Sequence, residues 1–344
     1  MQGTGEEAGL RSLETIQVAV PSLALRIASV LLFACSASAA DTARDARVAV
    51  LSSVYNTPPT PGLTAFRAEL AQLGYVEGRN LKLDLVSAEN RPERLPALAA
   101  EIVRSKPDVI LTMGTAQSTV AAMKATTTIP IVFVHAGDPV AAGFVASLGR
   151  PGGNITGVTT LNADLGAKRL ALLTEMVPSM RRVAVLVSAA DAQTPSMLEG
   201  VRSAARAQRV QLDLLEIRDP ADLDGAVSGA ANARAGGLLV LGSPPLYRLS
   251  SSLAQLAIKH RLPTVSAWQE FVDAGGLASY GTDIPETFQR VARLVNRTLR
   301  GARPAELSVE QPTKFEFAVN LKTAKLLGLR VPESVMLQAG KIVR

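Results

Sequence analysis

Short apolar strands alternating with helix-spaced segments, in two successive series, restrict this chain to an α/β fold built on parallel sheets. The first series opens with a strand at 47–53 (RVAVLSS), followed by a breaker-rich loop, Thr57-Pro58-Pro59-Thr60-Pro61-Gly62. Leu63, Phe66, Leu70 and Leu73 then recur at helical spacing until Gly74 stops them. Strands over 80–86, 108–112 and 131–134 follow, with helices predicted over 92–104, 116–125 and 139–148. After the Gly-rich stretch Arg150-Pro151-Gly152-Gly153 the cycle restarts. Strands are expected at 182–187, 210–216, 237–241 and 263–266, between helices at 164–177, 195–208, 220–234 and 246–259. A helix over 284–300, strand-like segments over 306–320 and a short helix over 320–327 complete the pattern. Most strands read as continuous apolar runs, as befits sheets covered on both faces. Two Rossmann-like, doubly wound parallel-sheet lobes joined near residue 155 are therefore expected. A length of 344 residues agrees with two domains rather than one core.

Residues 27–40 (IASVLLFACSASAA) form the longest apolar run, flanked by Arg26 and Asp41. The run is shorter than the ~20 residues a spanning helix needs, and it ends in small residues. It reads as a signal peptide occupying 1–40, which implies export to the periplasm. Residues 1–26 carry Glu6, Glu7 and Glu14 against Arg11 and Arg26, so a start nearer Val20 or Leu23 fits a positive leader better. Cys35, the single cysteine, lies inside this run; a lipobox reading of Leu32-Phe33-Ala34-Cys35 would make the protein a lipoprotein instead.

The net charge of +6 is spread singly among acidic residues. A nucleic-acid-binding protein calls for a clustered basic face, so no nucleic-acid partner is expected. Two histidines, His135 and His260, stand without a second ligand at metal spacing, and no Walker or G-x-S-x-G sequence occurs. No metal, no cofactor and no catalytic residue is expected, and the chain reads as a binding protein rather than an enzyme.

Open parallel sheets bind ligands beyond the carboxyl ends of their strands, at helix N-termini. In the first series this points to Ser52, Ser53 and Tyr55, then to Gly114-Thr115-Ala116-Gln117-Ser118, where Thr115 sits at a helix cap. Asp138 and Pro139 follow the fourth strand, where Asp138 either caps the next turn or meets a ligand ammonium; His135 reads as a polar strand-end residue. In the second series the rule selects Ser243, Trp268 and Glu270, the tryptophan being the single one in the chain.

Several segments also resemble a known family. Leu73-Gly74-Tyr75-Val76-Glu77-Gly78-Arg79-Asn80, Ile129–Val134, Asp138-Pro139-Val140 and Arg150–Gly157 are similar to ABC transporter substrate-binding proteins of the tryptophan/tyrosine-uptake type. So are Ala278-Ser279-Tyr280-Gly281, Gln311–Glu316, and Asn320–Lys325 followed by Leu327-Gly328-Leu329. The resemblance spans about 47–335 and implies a type I periplasmic-binding fold with a three-segment hinge. It divides the chain into lobe I (41–155 plus 278–304), lobe II (156–277 plus 305–335) and a tail (336–344). It further implies a monomer that captures a small-molecule ligand, an amino acid or related carboxylate, and delivers it to a cognate permease in the inner membrane. Under it the carboxylate lies at the Thr115 loop and the ammonium near Asp138. A receptor-linked ligand sensor and a periplasmic α/β enzyme are the alternatives.

Overall fold

The computed structural model describes residues 45–54, 60–161, 165–191 and 194–344. The expected export signal with Cys35, and Tyr55 of the first loop, lie outside the described residues.

The first lobe is a five-stranded parallel sheet in the order β2-β1-β3-β4-β5. In chain order it runs β1 (Ala46–Ser52), α1 (Pro61–Gln72), β2 (Leu81–Ser87), α2 (Leu95–Arg104), β3 (Val109–Met113), α3 (Ala116–Ala125), β4 (Ile131–His135) and β5 (Ile155–Thr159). The second lobe begins with α4 (Gly166–Met176), β6 (Arg182–Ser188), α5 (Thr194–Gln208), β7 (Gln211–Ile217) and α6 (Asp222–Asn232). It continues through β8 (Gly237–Val240), α7 (Pro244–Tyr247), α8 (Ser250–Lys259), β9 (Thr264–Ser266), α9 (Gln269–Asp273) and β10 (Ala278–Thr282). The chain then returns to the first lobe as α10 (Ile284–Leu299), whose Phe288, Val291, Leu294 and Val295 join the core formed by Leu63, Phe66 and Leu70 of α1. Finally β11 (Phe315–Asn320), α11 (Leu321–Leu326), α12 (Glu333–Gln338) and β12 (Lys341–Val343) complete the second sheet. Its order is β12-β11-β10-β9-β8-β6-β7, with β10 and β11 antiparallel and the other pairs parallel.

The alternation of strand and helix is as read from the sequence, and three placements differ. Ile155–Thr159 is a strand of the first sheet, in register with Ile131–His135, so the chain leaves lobe I after Thr159 rather than at 155. Ala278–Thr282 belongs to the second sheet, paired with Thr264–Ser266 and Phe315–Asn320, so the return to lobe I begins with α10 and continues through Leu307 and Val309, which pack in the lobe I core. The expected tail contains β12, whose backbone pairs with Ala318–Asn320 because that edge of β11 is otherwise open. A fourth correction is local. Residues 139–148 form turns, not a helix: Gly143 takes φ +72°, a left-handed conformation that ends the turn after the bonds from Ala142 and Phe144 to Asp138 and Pro139.

Three crossovers link the lobes and are bonded to one another. The Thr282 hydroxyl donates to the Thr160 carbonyl at 3.2 Å, tying the second crossover to the first. In the third, the Glu310 amide donates to Gly157 at 2.9 Å and its carbonyl accepts from Thr159 at 3.0 Å. Arg169 of α4, fully buried, donates its Nε–H to the Tyr280 carbonyl at 2.6 Å. Burial lowers that guanidinium to about 9, so it still carries its charge near neutral pH, held against the backbone of β10.

Candidate functional site

A cavity partly open to solvent lies where the carboxyl ends of both sheets meet the crossovers. Lobe I contributes Val54, Met113, Gly114, Val134, His135 and Ala136, which follow β1, end β3 and end β4. Lobe II contributes Gly242 and Pro244 after β8, Tyr247 and Arg248 at the end of α7, and Trp268 after β9. Thr160 of the first crossover and Ile284 and Phe288 of α10 close the base. The walls are chiefly apolar and aromatic.

The aromatic groups hold one another in place. Tyr247 and Trp268 meet edge to face with centroids 5.4 Å apart, and the Tyr247 hydroxyl donates to Glu270 Oε1 at 2.8 Å. Burial and the neighbouring carboxylate push that phenol far above its ordinary range, so it stays protonated and the Glu270 carboxylate stays engaged behind the wall. On the other side His135 packs edge to face on Phe144 at 4.8 Å. Burial pushes its imidazole down to about 4, against the opposing pull of the Asp138 carboxylate, so it is neutral near neutral pH. Glu270 also lines an adjacent acidic depression with Asp283 and Glu316, where burial and these two carboxylates raise the Glu316 carboxyl.

The neutral His135 has a consequence for stability. The unfolded chain takes up this proton below the ordinary value of 6.5, whereas the folded protein does so only near 4. Stability from this group is therefore complete above 6.5 and lost as pH falls through that window. Urea titration at about pH 5 should show a loss on the order of 2 kcal/mol relative to neutral pH, largely abolished in His135→Gln. An equal loss in the variant would assign the effect to other groups.

Of the residues singled out in the sequence, the structure brings Gly114 and Trp268 to the cavity wall. Gly114 needs its glycine: φ is +90° and a Cβ would lie 2.3 Å from Ser53 Oγ. Ser53 Oγ instead accepts from the Thr115 amide at 2.7 Å, and the Thr115 side chain makes no capping bond to α3. Ser52 is turned into its own loop, bonding to Val54. Ala116, Gln117, Ser118, Pro139 and Ser243 are not among the lining residues, although the buried Gln117 Oε1, Ser118 Oγ and Ser243 Oγ have no partner among the described residues. Asp138 is exposed and caps the following turn, accepting from the amides of Val140 and Ala141 at 2.8 and 3.2 Å. Glu270 stands behind Tyr247 rather than in the wall.

His135, read from the sequence as a strand-end residue, is a wall of the cavity, and Tyr247, Arg248, Ile284 and Phe288 were not singled out. The strand-end rule selects Ser243 after β8; the short helix begun by Pro244-Pro245 is what carries Tyr247 and Arg248 to the cavity. Among the described residues no group of three or more His, Cys, Asp or Glu side chains is placed to hold a metal ion.

Residues 48–343 match the family of ABC transporter substrate binding proteins. The chain belongs to that family. A relative, the tyrosine-binding protein of Clostridioides difficile (strain R20291), is 26% identical over 269 residues, 77% of this chain and 76% of that protein. A solved conserved domain protein from Vibrio cholerae is 27% identical, with a TM-score of 0.78, covering 87% of this chain and 100% of the other. The ABC domain from Streptococcus pneumonia, solved in complex with L-Trp, superimposes with a TM-score of 0.77 at 21% identity and the same coverage. These likenesses bear out the two-lobed type I periplasmic-binding fold and the family suggested by the sequence motifs. As an ABC transporter substrate-binding protein, the chain is the component that holds a small solute for transport, outside the cytoplasm. Among the described residues no helix is long and apolar enough to cross a membrane.

Proposed function

We propose that this protein captures an amino acid with an aromatic or large apolar side chain in the interlobe cavity and delivers it to a permease of the inner membrane. The reading places the mature protein in the periplasm as a monomer, released by removal of the segment at 1–40, and gives it no bond chemistry. The observation that carries it is the cavity itself: an apolar, aromatic-walled space built from the strand ends of both lobes and floored by the crossovers. A solute there touches both lobes at once and stabilises the closed arrangement by the contacts that only closure completes. The relatives that bind tyrosine and L-Trp support an aromatic amino acid as the ligand.

A thermal-shift screen of the mature chain against the twenty amino acids tests this. A true ligand at a hundredfold excess over its Kd should add about 2.7 kcal/mol of stability. The amino-acid reading fails if none of them moves the melting curve. Chemical conversion of the bound compound would overturn the assignment of a purely binding role.

A further inference from the structure

We infer that Glu270 sets the cavity's preference for aromatic side chains: by accepting the Tyr247 hydroxyl it fixes the Tyr247 ring against Trp268 and makes the lobe II wall a rigid aromatic pair. The inference rests on the ligand reading above and names the residue that gives the wall its shape. Glu270 is not among the lining residues and acts through Tyr247, so it is a positioning residue.

Tyr247 is held at both ends. Its backbone closes α7, the amide donating to the Ser243 carbonyl at 3.0 Å and the carbonyl accepting from Ser250 Oγ at 2.7 Å. At the far end the hydroxyl donates to Glu270 Oε1 at 2.8 Å, and burial keeps the phenol protonated as that donor near neutral pH. Hydrogen bonds to a carboxylate are among the stronger ones in proteins. Between these anchors the ring meets the indole with centroids 5.4 Å apart and planes at 76°, an arrangement aromatic pairs favour. Trp268 immediately precedes α9 and Glu270 lies in its first turn, so one short segment supplies both the indole and the anchor of the neighbouring ring.

A wall fixed in this way discriminates by shape. A ligand ring packs on it without first ordering the protein side chains, whereas a mobile Tyr247 would have to be immobilised on binding. A ring free to rotate would also adapt to a branched aliphatic chain, and the difference in affinity between the two ligand shapes would shrink. The single hydroxyl proton is committed to Glu270, so the wall offers the solute ring surface rather than a hydrogen-bond donor.

The test is calorimetric titration of native protein, Glu270→Ala, Glu270→Gln, Tyr247→Phe and the Tyr247→Phe/Glu270→Ala double variant with L-tyrosine and with L-leucine. Native protein should prefer L-tyrosine. Glu270→Ala should weaken L-tyrosine about tenfold and L-leucine at most about twofold, compressing that preference. Glu270→Gln keeps an acceptor oxygen but removes the charge from the first turn of α9, and should hold the native preference within about twofold. Tyr247→Phe breaks the same bond from the other side and should compress the preference similarly, so it decides the matter if Glu270→Ala does not fold. Added to Tyr247→Phe, Glu270→Ala should have no further effect on the preference. In the ligand-free state Glu270→Ala should red-shift Trp268 emission, as the released ring admits water to the indole, and Glu270→Gln should not. A native preference retained in Glu270→Ala, an equal loss for both amino acids, or an undiminished further loss in the Tyr247→Phe background would overturn the role of Glu270 and leave the ligand reading intact. Failure of native protein to bind either amino acid would overturn the ligand reading and the inference with it.

Discussion

Gly281→Ala is expected to destabilise the protein by about 3 kcal/mol in urea denaturation, a large effect for one methyl group. Gly281 lies near the end of β10, opposite Glu316, where the second sheet meets the second crossover. An alanine Cβ there would stand 1.9 Å from the Ala267 carbonyl oxygen, far inside van der Waals contact. The obstacle is backbone, so no rotamer change relieves it; the segment leading from β9 into α9 has to move. That segment carries Trp268, so the variant should lose ligand affinity together with stability. A loss below about 1 kcal/mol would mean that this close approach is easily relaxed.

Trp268→Ala should have the second large effect, weakening amino-acid binding by about a hundredfold, as truncation of a central aromatic anchor does. The indole is 4% exposed, lies against Tyr247, and also belongs to the core with Leu246, Phe271 and Val272. Stability should therefore fall by about 3–5 kcal/mol as well, and binding has to be measured well below the variant's melting temperature. Trp268→Phe keeps an aromatic wall and should retain most of both properties. A folded alanine variant that binds within about threefold of native protein would remove Trp268 from the site.

The architecture was legible because its units are local. A buried parallel strand is an apolar run of a few residues, and the helices that cross between strands carry their own spacing and stops. The helix Ala116–Ala125 falls where the spacing predicts it. The errors occur where pairing partners are remote. Ile155–Thr159 alternates Ile, Thr, Gly, Val and Thr after a Gly-rich stretch, and becomes a strand because the edge of β4 is open to it and Glu310 covers its far side. Lys341–Val343 likewise owes its order to the edge of β11. The overread helix at 139–148 has apolar spacing, but Gly143 breaks it.

The site was legible in outline and not in detail, for a related reason. Strand-end rules lead to the end of each sheet where the cavity lies, and Gly114 and Trp268 of its wall follow from them. They do not show which way a loop turns its side chains. Asp138 does cap its turn, one of the two local readings, and that occupation keeps its carboxylate with its own backbone. Tyr247, Arg248, Ile284 and Phe288 reach the cavity through a short helix and a returning crossover, arrangements set by the packing of two lobes rather than by neighbours in sequence.

The central claim, that an amino acid sits in the cavity walled by both lobes, is most directly tested by the fluorescence of Trp268, the single tryptophan in the chain. Excitation at the red edge of its absorption, where tyrosine does not absorb, isolates it during a titration with L-tyrosine. The account predicts a saturable change in Trp268 emission with one ligand per chain and the same Kd as calorimetry. Calorimetric binding of L-tyrosine with no change in Trp268 emission would contradict it, placing the ligand elsewhere on the molecule.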